Sequence, residues 1–152
     1  MNKYYQKSPI GILELICQNN ELISLKLVNN IQKSDIENDF IKNIKLQLEE
    51  YFSGKRQKFN IKINPKGTEF QKKIWKELQK IPYGKTKSYS EIAKIINNPN
   101  AQRVVGSVCN KNPIIIIIPC HRIISKNGNL GKFKYGNSTK EKLHKIENIN
   151  NT

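Results

Sequence analysis

Apolar residues come in short bursts along the first third of the chain. "GILELIC" (11–17) and "LISLKLV" (22–28) flank the polar "QNNE", the pattern of two strands joined by an asparagine turn. Ile36, Phe40, Ile41, Ile44, Leu48 and Tyr51 then recur at helical spacing over 34–52, and "QKFNIKI" (57–63) alternates as a further strand would. From Pro65 onward the period lengthens. Phe70, Ile74, Trp75 and Leu78 share one face of a helix ending before "IPYG", and three more helices are expected over 88–96, about 99–109 and 138–148. The pattern predicts an α+β protein: a small lobe of antiparallel sheet plus helix over residues 1–64, then a helical domain over 65–152.

The helix starts carry their own signals. Ser34-x-x-Glu37, Thr68-x-x-Gln71, Ser88-x-x-Glu91 and Ser138-x-x-Glu141 all fit a capping box, in which each side chain satisfies the other residue's free N–H. For the helix at 99–109, Asn98 can cap and Pro99 suits the first turn.

Helices 88–96 and 99–109, joined by "NNPN", have the dimensions of a helix-turn-helix. On that reading "AQRVVGSVCNKN" meets DNA. Ala101, Gly106 and Ser107 keep its face small enough for backbone to approach a sugar-phosphate wall. Gln102 lies beside Arg103, the one long cation before Lys111. The plainer alternative is an αα-hairpin packed in a core.

Charge favours the DNA reading. The net charge of +15 is uneven: residues 1–68 carry 11 basic and 7 acidic side chains, residues 69–152 carry 16 and 5. A basic excess in the second half suits a phosphate-binding surface there. A general lysine bias also contributes, since 24 of the 27 basic residues are Lys. Against that background Arg56, Arg103 and Arg122 mark places where a planar, always-charged fork is needed.

At 152 residues the chain can bury a real core. It has no apolar stretch near the ~18 residues a membrane span requires. Glu14 interrupts the N-terminal apolar run, so no signal peptide is expected. Three cysteines, odd and sparse, suit a reducing cytoplasm better than a disulfide framework. No CxxC or HxxxH spacing points to zinc, so no metal is expected.

The candidate chemistry lies in "NPIIIIIPCHRII" (112–124). Five isoleucines read as a buried strand that Pro119 ends, and a thiol, an imidazole and a guanidinium follow at once. A free thiol near pKa ~8.5 is mostly protonated at neutral pH, so Cys120 needs a base to become a nucleophile. His121 can serve if a carboxylate orients its other nitrogen. Adjacent side chains in an extended segment point opposite ways, so a water or a turn must connect Cys120 to His121. The nearby acids are Glu141, spent on a cap, and Glu147, and spacing does not choose between them. Cys17 and Cys109 read as ordinary buried cysteines.

"PCHR" after an apolar run resembles the active-site motif of the O6-alkylguanine-DNA alkyltransferases, the methylated-DNA–protein-cysteine methyltransferases. "QLEEYFSGKRQKF", "GTEFQKKIWKELQKIPYGKTKSYSEIA", "NPNAQRVVGSVCNKNPIIIIIPCHRII", "GNLGKF" and "KEKLHKIE" follow that family in order and spacing, from Gln47 to Glu147. The resemblance implies an RNase H-like N-terminal lobe and a winged-helix-like C-terminal domain containing the helix-turn-helix. It implies that Cys120 accepts an alkyl group, once per molecule, from O6 of a guanine flipped out of double-stranded DNA, with no cofactor. His121 would relay the thiol proton through a water and Glu147 would orient His121. Arg103 would fill the vacated stack from the minor groove. Tyr89 would help rotate the nucleotide and donate towards guanine N3, Asn112 would link the recognition helix to the active-site segment, and a backbone group of Ile123 would read the base.

One loop departs from the family pattern. Where "GYSGG" is common, this chain has "GKFKYG" (131–136): Phe133 replaces a tyrosine, Lys134 a serine that can bond the alkylated oxygen, and Tyr135 adds bulk that should narrow the pocket. A cytoplasmic monomer without membrane contact is expected. The competing reading is a binding module, either a helix-turn-helix regulator or a sensor that binds alkylated DNA without repairing it. The presence of Cys120 and the small, apolar face of 101–110 speak against both. A cysteine hydrolase would further need an oxyanion site for which no motif is visible.

Overall fold

Three strands, β1 (Asn2–Ser8), β2 (Gly11–Gln18) and β3 (Glu21–Val28), form an antiparallel sheet in that order. The computed structural model describes residues 1–149 and divides into two units between Lys66 and Gly67. The end of the polar tail, residues 150–152, lies outside the described residues. Asn19 and Asn20 both take positive φ, 54° and 57°, as the turn between β2 and β3 demands. Strand β1 carries no clean alternation and is not predicted. It is recruited by pairing along its whole length with β2, Asn2 opposite Cys17 through Ser8 opposite Gly11.

The helix of this first unit, α1, runs Asp39–Phe52 and buries Ile41, Ile44, Leu48 and Tyr51. Leu13, Leu15, Leu22 and Leu25 are fully buried in the same unit. Each such leucine contributes roughly 1.5–3 kcal/mol of burial. Two expectations fail here. The helix starts five residues later than its spacing suggests, because Asn38 and not Ser34 caps it, accepting from the Ile41 N–H at 3.0 Å. Ile36 is left 95% exposed. The alternating segment 57–63 forms no strand; it meets the sheet through one parallel bridge, Leu22 to Ile63. Side-chain alternation survives there without a ladder: the Leu22 N–H donates to the Lys62 carbonyl and the Asn64 N–H to the Leu22 carbonyl.

The second unit holds α2 (Glu69–Leu78), β4 (Lys87–Ser88), α3 (Tyr89–Ile95), α4 (Gln102–Asn110), a 3-10 turn (Cys120–Arg122), β5 (Ile123–Ile124) and α5 (Asn137–Ile146). Capping boxes start α2 at Thr68–Gln71 and α3 at Ser88–Glu91. Trp75 of α2 is buried and its indole donates to the Val108 carbonyl of α4 at 3.0 Å. β4 and β5 pair in parallel, Lys87 with Ile123, and so join the start of α3 to the segment after the cysteine.

Helix α4 starts later than expected, and the reason is a stop signal. Asn97 takes φ 60°, its N–H donates to the Lys94 carbonyl and the Asn98 N–H to the Ala93 carbonyl, the Schellman pattern that closes α3. The Asn98 carbonyl then accepts from the Ala101 N–H, a turn that delays the next helix until Ala101, its N-cap, where no side-chain cap forms. Likewise Gly136, not Ser138, stands at the N-cap of α5, and no side-chain cap forms there. The same Schellman pattern closes α5 around Asn148 (φ 56°), making Glu147 the C-cap residue.

The isoleucine run is not a strand. Residues 113–118 fold into turns, with Ile117 N–H donating to the Ile115 carbonyl and Ile118 N–H to the Ile114 carbonyl. Ile116 sits at φ 73°, a costly conformation for a β-branched residue. Pro113 and Pro119 lack the N–H groups a ladder would use. Burial is as expected: Ile114, Ile115, Ile116 and Ile118 are all buried.

Candidate active site

Asn112, just past α4, organises the turns that deliver the cysteine. Its side-chain oxygen accepts from the Ile114 N–H at 2.9 Å, while its amide nitrogen donates to the Ile118 carbonyl at 2.7 Å and to Cys120 Sγ at 3.1 Å. Cys120 is thereby fixed at the start of the 3-10 turn with 7% of its surface exposed. Burial pushes its thiol up, opposed by the Asn112 hydrogen bond and by the Lys140 charge.

The turn replaces extended backbone where the cysteine and histidine adjoin. His121 is fully buried, and its Nε2 lies 2.6 Å from Glu147 Oε2. Arg122 completes the group: Nε donates to Glu147 Oε1 at 2.9 Å, Nη2 to Oε2 at 3.2 Å and Nη1 to the Ile81 carbonyl at 2.7 Å. The Gly84 N–H adds a bond to Oε1 at 3.2 Å. Gly84 takes φ 77°, and a Cβ there would stand 3.2 Å from the Glu147 carbonyl oxygen, so the loop after α2 can approach only without a side chain.

Charge in this cluster has one consistent assignment. Burial alone would raise the Glu147 carboxyl, but bonds from His121 and Arg122 hold it below the usual carboxylate range. Burial lowers His121, more than Glu147 raises it. Arg122 therefore supplies the balancing charge, and His121 is neutral at pH 7 with its proton on Nε2, donating to Glu147. Its Nδ1 is left as a buried acceptor with no hydrogen-bond partner among the described residues. Glu147, not Glu141, is the carboxylate at the histidine; Glu141 is exposed.

Helices α3 and α4 and the loop after β5 border a cavity of about 400 Å3 lined by Tyr89, Gln102, Arg103, Gly106, Ser107 and Lys132 among others. The Tyr89 hydroxyl donates to the Lys132 carbonyl at 3.3 Å, and burial and the thiols of Cys109 and Cys120 push it up to about 12, so it remains a donor. Gly131 (φ 74°) lets the loop reach it: a Cβ there would lie 3.0 Å from the hydroxyl. Arg103 is exposed and makes no ion pair among the described residues.

Not every expected residue joins this cavity. Ala101, expected on the small exposed face, is buried under the start of α4. Lys111 is exposed as the C-cap of α4 and does not line the cavity. Phe133 is buried against Tyr135, ring centroids 5.9 Å apart, and Lys134 lies over the Tyr135 ring at 5.6 Å. The Ile123 carbonyl accepts from Lys140 Nζ at 2.5 Å. Lys140 is fully buried, and in a chain with 24 lysines nothing marks it out beforehand. His144 is also buried and donates from Nε2 to the His121 carbonyl at 2.5 Å; its only advance signal is an apolar-face position in α5. No cluster of His, Cys, Asp or Glu suited to a metal ion occurs among the described residues. None of the helices there is long and apolar enough to cross a membrane.

Residues 1–65 match the 6-O-methylguanine DNA methyltransferase, ribonuclease-like domain, and residues 69–149 match the 6-O-methylguanine DNA methyltransferase, DNA binding domain. The chain is 46% identical to a methylated-DNA–protein-cysteine methyltransferase of Methanosarcina mazei, over 97% of this chain and 98% of the relative. A crystal structure of the Mycobacterium tuberculosis O6-methylguanine methyltransferase superposes with a TM-score of 0.87 at 35% identity, covering 96% of this chain and 92% of that one. A structure of the Mycobacterium tuberculosis protein in complex with DNA gives the same TM-score at 37% identity, covering 97% and 92%.

Proposed function

The chain belongs to the 6-O-methylguanine DNA methyltransferase family, and from that membership we propose that Cys120 is the residue that takes the alkyl group from O6-alkylguanine in double-stranded DNA. The activity is direct-reversal DNA repair by alkyl transfer to a cysteine of the protein. The observation that carries the assignment is the 2.6 Å pair of His121 with Glu147, held by the Arg122 fork, directly after a buried thiol.

The geometry supports a role for each residue. One water passes the Cys120 proton to His121 Nδ1, the free acceptor, and the resulting imidazolium is stabilised by Glu147 across Nε2. Sulfur then attacks the alkyl carbon. The S–C bond forms, the C–O6 bond breaks, and its electron pair passes into the guanine ring. Tyr89, kept protonated, donates towards N3 and eases the departure of the base. Overall the thiol loses one proton and the departing guanine gains one in place of the alkyl group, the proton held on His121 being returned through solvent. The product is a thioether with no neighbour able to hydrolyse it, so each molecule acts once.

A base reaches a thiol this deeply buried only by leaving the stack, at a cost of a few kcal/mol. Arg103, exposed on α4, fills the gap from the minor groove. Gln102, Gly106 and Ser107 pack against the backbone. Residues 1–64 serve as the supporting lobe and residues 65–152 as the part that binds DNA and reacts. We read the protein as a monomer, and the free cysteines suit the cytoplasm.

The test is incubation with a duplex containing O6-methylguanine, followed by mass spectrometry of the peptides. Methylation of the Cys120 peptide, absent in Cys120→Ser, is expected. Tight binding with Cys120 unmodified would instead identify a damage sensor.

A further inference from the structure

Lys140 stands on α5 with none of its surface exposed. A buried ammonium is costly and is ordinarily met by a carboxylate. Here its hydrogen bonds go to main-chain oxygens, Ile123 at 2.5 Å and Lys132 at 3.5 Å, and among the described residues no carboxylate pairs with it. The Lys132 oxygen also accepts from Tyr89, so one carbonyl ties the lysine to the tyrosine. The Ile123 carbonyl lies three residues past Cys120, and α5 packs on the 3-10 turn that carries the cysteine. The ammonium charge there favours the ionised form of two thiols, Cys120 from that turn and Cys109 from α4. Lys134 from the loop also acts on Cys120, and His144 lies one turn along α5. Cys109 has no hydrogen-bond donor aimed at its sulfur among the described residues, whereas Cys120 has Asn112.

We propose that Lys140 is the counter-cation of the Cys120 thiolate, a positioning residue that holds a fixed charge beside the sulfur while bracing the Ile123 carbonyl after the 3-10 turn and the Lys132 carbonyl at the cavity. This rests on Cys120 being the alkyl acceptor. Lys140 exchanges no proton in the reaction: the thiol proton leaves through His121, sulfur gains the alkyl carbon, and the ammonium stays. After transfer the sulfur is a neutral thioether and the ammonium has lost its anion. Alkylation should therefore make Lys140 easier to deprotonate.

The reaction of Cys120 with iodoacetamide, followed against pH in DNA-free protein, tests the charge pairing directly. Lys140→Met should move the midpoint for Cys120 up by about one pH unit, leaving about tenfold less thiolate at neutral pH, and Lys140→Arg should restore it. Single-turnover transfer from an O6-methylguanine duplex should fall about tenfold in Lys140→Met at pH 7 and recover as the pH rises. An unmoved midpoint, with transfer reduced equally at every pH, would mean packing alone and overturn the proposal. Should Lys140→Met not fold, NMR titration of the wild-type lysine decides. Burial, opposed by Cys120 and Cys109, holds it at about 8, and methylation of Cys120 should lower it further; no change would overturn the pairing. Failed methyl transfer with a shifted iodoacetamide midpoint would count against Cys120 as acceptor, not against Lys140 as its counter-cation.

Discussion

The first unit buries Glu14 and Gln47 within an otherwise apolar core, whereas the second buries Asn112, His121, Arg122, Lys140, His144 and Glu147. The two sets are wired differently. Glu14 lies in a cross-strand row, accepting from the Tyr5 hydroxyl at 3.1 Å, with half-exposed Lys26 at 3.6 Å. Gln47 exchanges bonds with the Asn60 backbone. Each acts locally and fastens one segment to the next. In the second unit His121, Arg122 and Glu147 are joined through one carboxylate, His144 donates to the His121 carbonyl, and Asn112 donates to the Cys120 sulfur. Buried polar groups in the first unit serve the fold; those in the second draw on stability to hold a charged cluster next to a buried thiol.

The strongest way to sharpen that contrast is Glu147→Gln. It keeps the shape but leaves Arg122 buried without its carboxylate and His121 without the acceptor that fixes its proton on Nε2. Stability should fall by roughly 3–5 kcal/mol, and single-turnover transfer by about a hundredfold or more. Denaturant unfolding and quenched-flow transfer read the two losses separately. In the first unit, Leu25→Ala should cost about 2–5 kcal/mol through its cavity, with the transfer rate of the folded protein unchanged. A matching loss of rate below the unfolding transition would break the division of labour.

pH gives a smaller and signed version of the same comparison. The Glu147 carboxyl is depressed in the folded protein, so its stabilisation is fully present above the ordinary value of 4.5 and is lost as pH falls through the folded value. Lys140 works the other way. Its folded value of about 8 lies below the ordinary 10.5, so the folded state carries a penalty below pH 8 that is relieved between the two. The thiols of Cys17, Cys109 and Cys120, raised by burial, oppose this above pH 9, so the Lys140 contribution is read as a difference: unfolding free energy of wild type relative to Lys140→Met should rise from pH 8 towards 10.5. A difference that stays constant across that window would assign the pH dependence to other groups.

Legibility in the sequence followed the same divide between local and linked. β2, β3, α2 and α3 were readable because periodicity, turn residues and true capping boxes all agree within each segment. β1 was not, because its pairing with β2 and not its own pattern makes it a strand. The isoleucine run misled because burial and extension usually travel together, and here the prolines and Asn112 separate them. At the site, "PCHR" and the wider family resemblance placed Cys120, His121 and Glu147, while spacing alone left Glu141 and Glu147 open. Arg122 stood out as one of three arginines against 24 lysines. Lys140 could not, since only its burial distinguishes it.

The smallest expected effects test the helix starts, where four identical-looking signals divide. Thr68 and Ser88 close reciprocal bonds with Gln71 and Glu91. Ser34 instead bonds the Asp35 carbonyl, four residues outside the helix that Asn38 caps, and Ser138 caps nothing because Gly136 already occupies the N-cap of α5. Thr68→Ala and Asn38→Ala should each cost about 1 kcal/mol, whereas Ser34→Ala and Ser138→Ala should stay within about 0.5 kcal/mol of wild type. Urea midpoints of the four variants decide it. A loss at Ser138 equal to that at Thr68 would mean α5 begins one turn differently in solution. Because Lys140 lies on that helix and Glu147 caps its end, the register of α5 is what brings the ammonium to the Ile123 carbonyl and the carboxylate to His121.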